Sequence, residues 1–340
     1  MKYICADCIN DLELKYYILS LENIAHCDCC GSASSVIELK ELYDFFTEFF
    51  NCLVVSESSS RNIIQLLEDD WSFFSNSIVA EKILGFVLNT CPNHIISVQV
   101  NVDYSEEIYD NINHWDMLKE NLKSKSRYIT DINYLINDLG WDGFFESQVS
   151  LGSEEKLYRA RIHHRSQNAY DKTDMKAPPA QNATAGRANP MGIPYLYLSD
   201  NEDTVLHEIR ATLHDEISLA TFIKKSIYTD DILLADFTAI PYLYVQYNVS
   251  AKIKSVLLKQ RISKDLSKPI RRYDSELDYI PTQFICEFIR LFTDVKGIKF
   301  RSSLHDSGVN FVLFDQELMD CIEVNKMQIT EKIIKSQLFK

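Results

Sequence analysis

Four side chains of one short stretch could together bind a small anionic, aromatic ligand. Residues 186–210 read GRANPMGIPYLYLSDNEDTVLHEIR and contain Arg187, Tyr195, Tyr197 and Glu208. A guanidinium group binds phosphate through paired hydrogen bonds, an aromatic ring stacks on a flat ligand, and a carboxylate stabilises positive charge. The same residues also suit an ordinary loop–strand–helix unit with a charged surface. The stretch alone leaves both interpretations open.

A second group of chemically capable residues lies at the amino terminus, where five of the nine cysteines fall within the first 30 residues. Those that form two C-x2-C pairs, 18 residues apart, are Cys5, Cys8, Cys27 and Cys30. This spacing is typical of zinc sites in which two tight turns present four thiolates. Four thiolates leave no open coordination position, so we predict a structural zinc and no catalytic metal. Cys29 or His26 could replace Cys27 or Cys30 as a ligand.

The charge is divided unevenly along the chain. Residues 1–150 contain 24 acidic and 9 basic residues, a net charge of −15, whereas residues 151–340 contain 25 and 26, a net charge of +1. The acidic half repels nucleic acid and phospholipid surfaces, and the neutral half can hold an anionic substrate. The amino terminus lacks the pattern of a signal peptide, and no apolar run approaches the roughly 20 residues that span a bilayer. We expect a cytoplasmic protein without membrane or nucleic-acid partners.

Hydrophobic periodicity predicts the elements that must position these residues. We expect helices within 38–89, the second of them capped by Ser60, further helices near 116–122 and 131–139, and a strand at 95–102. The aromatic stripe of Phe45, Phe46, Phe49 and Phe50 fits a helix buried in a core.

The carboxy-terminal half mixes strands and helices without a regular βαβ repeat, which favours an α+β fold. The predicted strands are 156–162, 193–199, 231–238, 297–303 and 308–315, and the predicted helices are 204–213 and 278–292. Asp203 or Thr204 is the expected cap of the first helix, and a long polar loop spans 163–190. The predicted domains are a zinc-ribbon-like module (1–36), an acidic, mainly helical regulatory or interaction domain (37–150), a catalytic domain (151–325) and a tail (326–340).

Four separated segments resemble the RES domain family and keep its order. They are LYRAR (157–161), the stretch 186–210, DYIPTQFICEFIR (278–290) and KFRSSLHDSGVNFVLFD (299–315). The Cys-rich start and helical middle resemble the amino-terminal region that accompanies some RES domains. The resemblance implies an ADP-ribosyltransferase-like fold and a bacterial toxin or defence enzyme that cleaves NAD+ at the nicotinamide–ribose bond. Water or inorganic phosphate would capture the ribose, giving ADP-ribose or ADP-ribose 1″-phosphate.

The resemblance also implies the site residues. The catalytic set is Arg159, Arg187, Glu208 and Ser302, with Ser303 as the alternative serine. The substrate-binding set is Arg159, Arg187, Asn189, Tyr195 and Tyr197. The chain departs from the family in carrying Arg301 where many members have proline before the serine.

The chemistry of NAD+ cleavage suits these residue types. Nicotinamide leaves as a neutral molecule, so no acid is needed, and a carboxylate such as Glu208 can stabilise an oxocarbenium-like transition state. Arg159 and Arg187 suit the diphosphate or an attacking phosphate, and Tyr197 offers a face to nicotinamide. No second cofactor is required.

Two other patterns compete with this interpretation. Arg159 and His164 satisfy the R-x4-H pattern of helical ribonucleases, but they fall at the end of a predicted strand. His207 precedes Glu208 on a predicted helix, where adjacent residues point in different directions, so a shared metal site is not expected.

We therefore expect an NAD+ phosphorylase or glycohydrolase. The alternatives are an ADP-ribosyltransferase that modifies a macromolecule and a non-enzymatic, zinc-bearing protein that binds a partner. An active NADase would harm its host, so we expect restraint by the acidic half or by a separate antitoxin. We also expect a homo-oligomer.

Overall fold

The chain divides into two compact units in the computed structural model. The structure describes residues 2–92, 94–145, 148–164, 167–239, 241–268 and 276–331. Unit 1 comprises Met1–Trp115 and Ile240–Leu258, and unit 2 comprises Asp116–Ala239 and Lys259–Lys340. The mixed α+β class predicted from the sequence is confirmed.

The elements alternate irregularly along the chain. The strands are β1 (Tyr3–Cys5), β2 (Ile24–His26), β3 (Ala33–Glu38), β4 (Leu53–Val55), β5 (Val102–Tyr104), β6 (Gln148–Leu151), β7 (Leu157–Ile162), β8 (Leu196–Ser199), β9 (Glu216–Lys224), β10 (Ile232–Asp236), β11 (Gly297–Arg301), β12 (Val309–Leu313) and β13 (Met319–Gln328). The helices are α1 (Leu12–Ser20), α2 (Tyr43–Asn51), α3 (Ile63–Trp71), α4 (Ser77–Leu88), α5 (Glu106–Ser124), α6 (Trp141–Phe144), α7 (Glu202–Glu208), α8 (Val249–Ser267) and α9 (Ile280–Phe292).

Unit 1 combines two small sheets, β1-β3-β2 and β4-β5, with the first helices. The four phenylalanines of α2 are all buried, as the helical spacing predicted. Asn62, not Ser60, caps α3: its side chain accepts from the Gln65 amide while the Gln65 side chain accepts from the Asn62 amide. This reciprocal arrangement satisfies two amides at once, which explains why the helix begins there.

One other local prediction for the first half is wrong. Residues 95–102 do not form a strand: Asn101 makes an isolated bridge to Asn62, and ladder pairing begins at Val102, opposite Val55. The helix predicted at 131–139 is present, and most of it is a π-helix, Tyr134–Asp138. Short apolar runs carry too little periodicity to separate strand from turn.

A later segment of the chain completes the core of unit 1. Its buried apolar residues are Leu243, Tyr244, Val249, Ile253, Val256 and Leu257. The Asp11 carboxylate, which caps α1 through the Leu14 amide, also accepts from the amides of Leu243 and Tyr244 at 2.6 and 3.1 Å. Glu48 accepts from the Val249 amide at 2.9 Å. Residues 241–258 are thus an integral part of unit 1.

Unit 2 is built on an eight-stranded sheet in the order β13-β9-β7-β8-β12-β11-β10-β6. In the part of the chain that the structure describes, β10 and β11 are its only parallel pair. The middle of the sheet brings distant segments together: β8 pairs with β7 at Tyr158↔Ser199 and with β12 at Asn310↔Ser199 and Val312↔Tyr197. Of the predicted site residues, these three adjacent strands carry Arg159 and Tyr197.

Helix α7 follows β8 directly and ends on the predicted glutamate. Its cap is Asn201, whose side chain accepts from the Thr204 amide and hydroxyl, rather than Asp203 or Thr204. The seven residues of α7 make about two helical turns and place Glu208 at the carboxyl end of the helix. The polar loop predicted at 163–190 contains one 3-10 turn, Ala180–Asn182, and no strand or α-helix among its described residues.

Candidate functional site

A cavity of about 340 Å³ lies against the centre of the unit 2 sheet. Strands β7, β8 and β12, helix α7 and the loop before β8 all contribute to its wall. Its lining includes Arg159, Arg187, Tyr197, Glu208, Tyr279 and Asn310. The structure thus brings four of the predicted site residues, Arg159, Arg187, Tyr197 and Glu208, to one cavity. Asn310, more than 100 residues after Arg187 in the chain, lies in the same wall.

Two donors hold the Glu208 carboxylate. Its Oε1 accepts from the Ser302 hydroxyl at 2.7 Å and from the Asn310 amide nitrogen at 2.6 Å. No hydrogen bond from the described residues reaches Oε2. One oxygen of the carboxylate is therefore fixed by the protein, and the other remains free to meet a ligand.

Ser302 can only donate to Glu208, because both of its oxygen lone pairs are occupied. Its Oγ accepts from the amides of Leu304 and His305, each at 3.1 Å. A hydroxyl has two acceptor positions and one proton, so the proton must point to Glu208. Ser302 is 8% exposed and does not line the cavity. Its hydroxyl orients the glutamate and has no lone pair left for attack on a substrate.

The loop that carries Ser302, residues 302–308, is held in place at both ends. The Ser302 amide donates to the Gly308 carbonyl at 2.8 Å, which closes the loop. A Cβ on Gly308 would lie 2.4 Å from the Thr204 hydroxyl, so only glycine permits this approach to α7. Arg301, where many members of the family have proline, donates to the Thr238 carbonyl at 3.2 Å.

Each arginine commits one nitrogen to the fold. Arg159 Nη1 donates to the Tyr197 carbonyl at 2.9 Å, and Arg187 Nη1 donates to the Leu266 carbonyl at 2.6 Å. Arg159 Nε is buried and has no partner among the described residues. Burial, with a smaller contribution from Arg161, lowers the pKa of Arg159 to about 10, so the side chain stays charged at neutral pH. Both side chains keep N–H donors for an anion.

Tyr197 is fixed by the loop that carries Arg187. Its hydroxyl accepts from the Ala188 amide at 3.0 Å and donates to Asn189 Oδ1 at 2.7 Å. Burial raises the pKa of the Tyr197 hydroxyl, which therefore remains neutral. A Cβ on Gly186 would lie 2.6 Å from this hydroxyl, so glycine is required there. The ring lines the cavity, and the hydroxyl holds the loop through these two hydrogen bonds.

Two side chains at the start of α9 donate hydrogen bonds to the loop that carries Arg187. The Thr282 hydroxyl donates to the Arg187 carbonyl at 2.6 Å, and the Gln283 side chain donates to the Gly186 carbonyl at 2.8 Å. Both side chains are buried. The segment 278–290 therefore supports the arginine through its backbone.

Two predicted substrate-binding residues are not brought to the cavity lining. The Asn189 amide nitrogen donates to three loop carbonyls, those of Thr184, Pro190 and Ile193, and the residue is 4% exposed. Tyr195 is 2% exposed, and its ring packs on Phe314 with centroids 5.1 Å apart. Ser303, the alternative serine, has a buried hydroxyl without a partner among the described residues.

Asn310 and Tyr279 lie in the cavity wall but were not among the predicted site residues. Asn310 lies in β12, where the run VNFVL offered a signal: one polar residue inside an otherwise apolar strand. Tyr279 immediately precedes α9 and had no signal, since tyrosine is common at helix starts and in cores. Both became evident only when the strands were placed side by side.

The competing patterns do not form sites of their own. Arg159 lies within β7, and His164 follows the strand, so the R-x4-H pair is not on a helix. His207 stacks on His305 with ring centroids 5.0 Å apart, and its Nδ1 contacts the Asp203 carbonyl at 2.8 Å.

The four predicted cysteine ligands form one cluster in unit 1. The ligand atoms of Cys5, Cys8, Cys27 and Cys30 all lie within 4.8 Å of one another. The Sγ–Sγ distances are 3.6 Å for Cys5–Cys8, 3.5 Å for Cys5–Cys30 and 3.8 Å for Cys8–Cys27. A tetrahedron with Zn–S bonds of about 2.3 Å has edges of about 3.8 Å, so the donor set fits zinc.

The two alternative ligands lie outside this group of four. Cys29 Sγ contacts the Val79 carbonyl at 4.0 Å, and His26 Nδ1 lies 3.5 Å from the Gly31 carbonyl. The Cys29 amide instead donates to Cys27 Sγ at 3.3 Å, as backbone amides do around metal-bound thiolates.

Comparison with known proteins gives a match in the second half of the chain. No curated protein and no solved structure matches the sequence. None of the described helices is long and apolar enough to cross a membrane. The model of the RES domain family matches residues 156–332, more than half of the chain. The segments that resemble the family occur in its order, and the structure brings residues from them to one cavity. Together with this match, these observations show that the chain belongs to the RES domain family.

Proposed function

We propose that this protein degrades NAD+ by cleaving its nicotinamide–ribose bond, and that it acts as a toxin or defence effector. The family is associated with NAD-related enzymatic activity. The observation that carries the proposal is the Glu208 carboxylate, held by two donors at one oxygen within a cavity bordered by two arginines.

The reaction breaks the bond between ribose C1 and the nicotinamide nitrogen. The electron pair of this bond neutralises the cationic ring, so nicotinamide leaves without a proton. Positive charge then develops on the ribose, and an ionised carboxylate beside it lowers the barrier. Glu208 supplies this charge through its free Oε2. Water, which loses one proton to solvent as it adds, or phosphate forms the new bond to C1 and gives ADP-ribose or ADP-ribose 1″-phosphate.

The remaining polar groups suit the rest of the substrate. Arg159 and Arg187 keep free N–H donors for the diphosphate, whose oxygens match the geometry of a guanidinium group. The Tyr197 ring offers a flat apolar surface for nicotinamide. Ser302 acts through Glu208 rather than as a nucleophile.

The test is release of nicotinamide from NAD+ by the purified full-length chain. Glu208→Gln is expected to lower kcat by about 100-fold or more, because the charge opposite the transition state is lost. The matched control is Glu202→Gln, an exposed glutamate in the first turn of the same helix. No release by the native protein, or equal rates for the native and Glu208→Gln proteins, would reject the proposal.

Two additions to the assay separate the acceptors. Acceleration by inorganic phosphate, with ADP-ribose 1″-phosphate as the product, indicates a phosphorylase, and release without phosphate indicates a glycohydrolase. Label from NAD+ that appears on a protein or nucleic acid indicates a transferase. Release by the full-length chain alone would also show that its acidic half does not block the site, which leaves restraint to a separate antitoxin.

We also propose that the four-cysteine cluster holds one structural zinc ion. The fit of its Sγ distances to a tetrahedron supports this, and the metal would stabilise a module too small for a large core. The measurement is the zinc content of protein purified without added metal; a value near zero would exclude it.

A further inference from the structure

We propose that Asn310 is a positioning residue that fixes the Glu208 carboxyl group through Oε1, with Oε2 presented to the ribose. The inference rests on the proposed NAD+ cleavage. Asn310 acts through Glu208, and its side chain forms part of a hydrogen-bonded line that runs across the sheet from Ser199 to the catalytic carboxylate.

The first step is the orientation of the Asn310 amide. Its Oδ1 lies 2.8 Å from the Ser199 hydroxyl, and its Nδ2 lies 2.6 Å from Glu208 Oε1. An ionised carboxylate only accepts, so the amide nitrogen must face it, and the amide oxygen then takes the Ser199 proton. The hydrogen bonds to both Ser199 and Glu208 form only when the Asn310 amide has this orientation.

The second step is the number of donors at one carboxyl oxygen. The Ser302 proton must point to Oε1 because both lone pairs of its hydroxyl are occupied. Oε1 therefore receives two donors, which fix the rotation of the carboxyl group about its last bond. Asn310 and Ser302 together leave Oε2 facing the substrate.

The third step is the rigidity of the sheet position that carries Asn310. Asn310 and Ser199 are Cα partners in the β12–β8 pairing, and they are 6% and 2% exposed. A sheet interior holds its side chains more precisely than a loop does, so the anchor lies on the most rigid part of the site. Glu208, in contrast, is the last residue of the short helix α7. Without a fixed partner, the glutamate would depend on Ser302 alone.

The test compares two changes at the same position. Asn310→Ala removes the donor, so kcat should fall by roughly 10- to 100-fold with less than about threefold change in KM. Asn310→Asp keeps the shape of the side chain but replaces the donor to Oε1 with an acceptor. Its kcat should fall at least as far as that of Asn310→Ala, because two carboxyl oxygens then face each other without a proton donor between them.

A fall in kcat with little change in KM distinguishes positioning from loss of structure. Ser199→Ala should act in the same direction as Asn310→Ala but more weakly, since only the orientation of the amide is loosened. The matched control is Asn325→Ala: this asparagine also donates to a glutamate, Glu323, and lies in the same sheet, but it is exposed. Its kcat and KM should not change.

A readout independent of turnover separates this inference from the proposed reaction. In protein labelled with ¹³C at glutamate carboxyls, the Glu208 signal is assigned by its loss in Glu208→Gln. At neutral pH its chemical shift should change in Asn310→Ala and stay unchanged in Asn325→Ala, because only the first variant loses a hydrogen bond to Oε1. An unchanged chemical shift in Asn310→Ala would overturn the inference whether or not the native protein cleaves NAD+. A changed chemical shift with no nicotinamide release would support it and reject the proposed function.

Discussion

Asp11→Ala should destabilise unit 1 more than any exposed substitution, because one buried carboxylate serves three backbone amides. Asp11 is 2% exposed and accepts from Leu14, Leu243 and Tyr244. It joins the start of α1 to a segment more than 200 residues later in the chain. The alanine variant removes the cap of α1 and leaves two buried amides without an acceptor.

The magnitude follows from these three bonds. Loss of the helix cap costs about 1 kcal/mol. Each amide that donates to a charged acceptor contributes about 1.5–3 kcal/mol. Some of this is recovered when water reaches the vacated space, so we expect unit 1 to lose about 4 kcal/mol of unfolding free energy. Asp11→Asn retains one acceptor oxygen and should lose about half as much.

The assay is hydrogen exchange of the full-length protein followed by mass spectrometry. Peptides that cover α1 and residues 241–258 should both exchange faster in Asp11→Ala, because the carboxylate stabilises both. Glu13→Ala is the matched control, since Glu13 is an exposed carboxylate in the first turn of the same helix. Equal protection in the Asp11→Ala and Glu13→Ala proteins, or loss confined to α1, would refute the reasoning.

Three further outcomes are expected. Cys8→Ser should abolish zinc binding while Cys29→Ser retains it, as measured by elemental analysis; equal zinc content in both would contradict the assigned ligands. Tyr197→Phe should retain kcat within about tenfold, because the ring remains, but lower the unfolding free energy by about 1–3 kcal/mol by leaving the Ala188 amide unpaired. Burial lowers the pKa of Lys252 to about 8, against opposing contributions from Asp11 and Glu13. Between that pH and the lysine value of about 10.4 in the unfolded chain, only the unfolded chain holds the proton, so stability should rise with pH. Urea denaturation at two pH values should show this rise in the native protein and lose it in Lys252→Met.

Local chemistry in the sequence predicted the site better than it predicted the scaffold. The two C-x2-C pairs identified the four-cysteine cluster, because this spacing is typical of two turns that face one another. Arg159, Arg187, Tyr197 and Glu208 were found through segments that match the family, and the structure brings them to one cavity. Asn310 was missed because its role depends on two partners, Glu208 and Ser199, more than 100 residues earlier.

The helix caps show the limit of local patterns more plainly. Ser60, Asp203 and Thr204 all have side chains that can cap a helix, and so do Asn62 and Asn201 nearby. The choice depends on which start lets the apolar face of the helix meet the core, and this is a tertiary property. For the same reason the sequence could not show that residues 241–258, inside the family match, contribute to the core of unit 1.

The placement of residues 241–258 also sets an order of events during synthesis. The first 115 residues leave the ribosome early, but their core lacks Leu243, Tyr244 and Val249 until most strands of unit 2 have been made. Ser302 and Asn310 are translated later still. The nascent chain can therefore complete unit 1 before the two groups that hold Glu208 exist. A chain that begins near residue 150 would carry the apolar side chains of 241–258 with no core to receive them, and it should be captured by chaperones or aggregate.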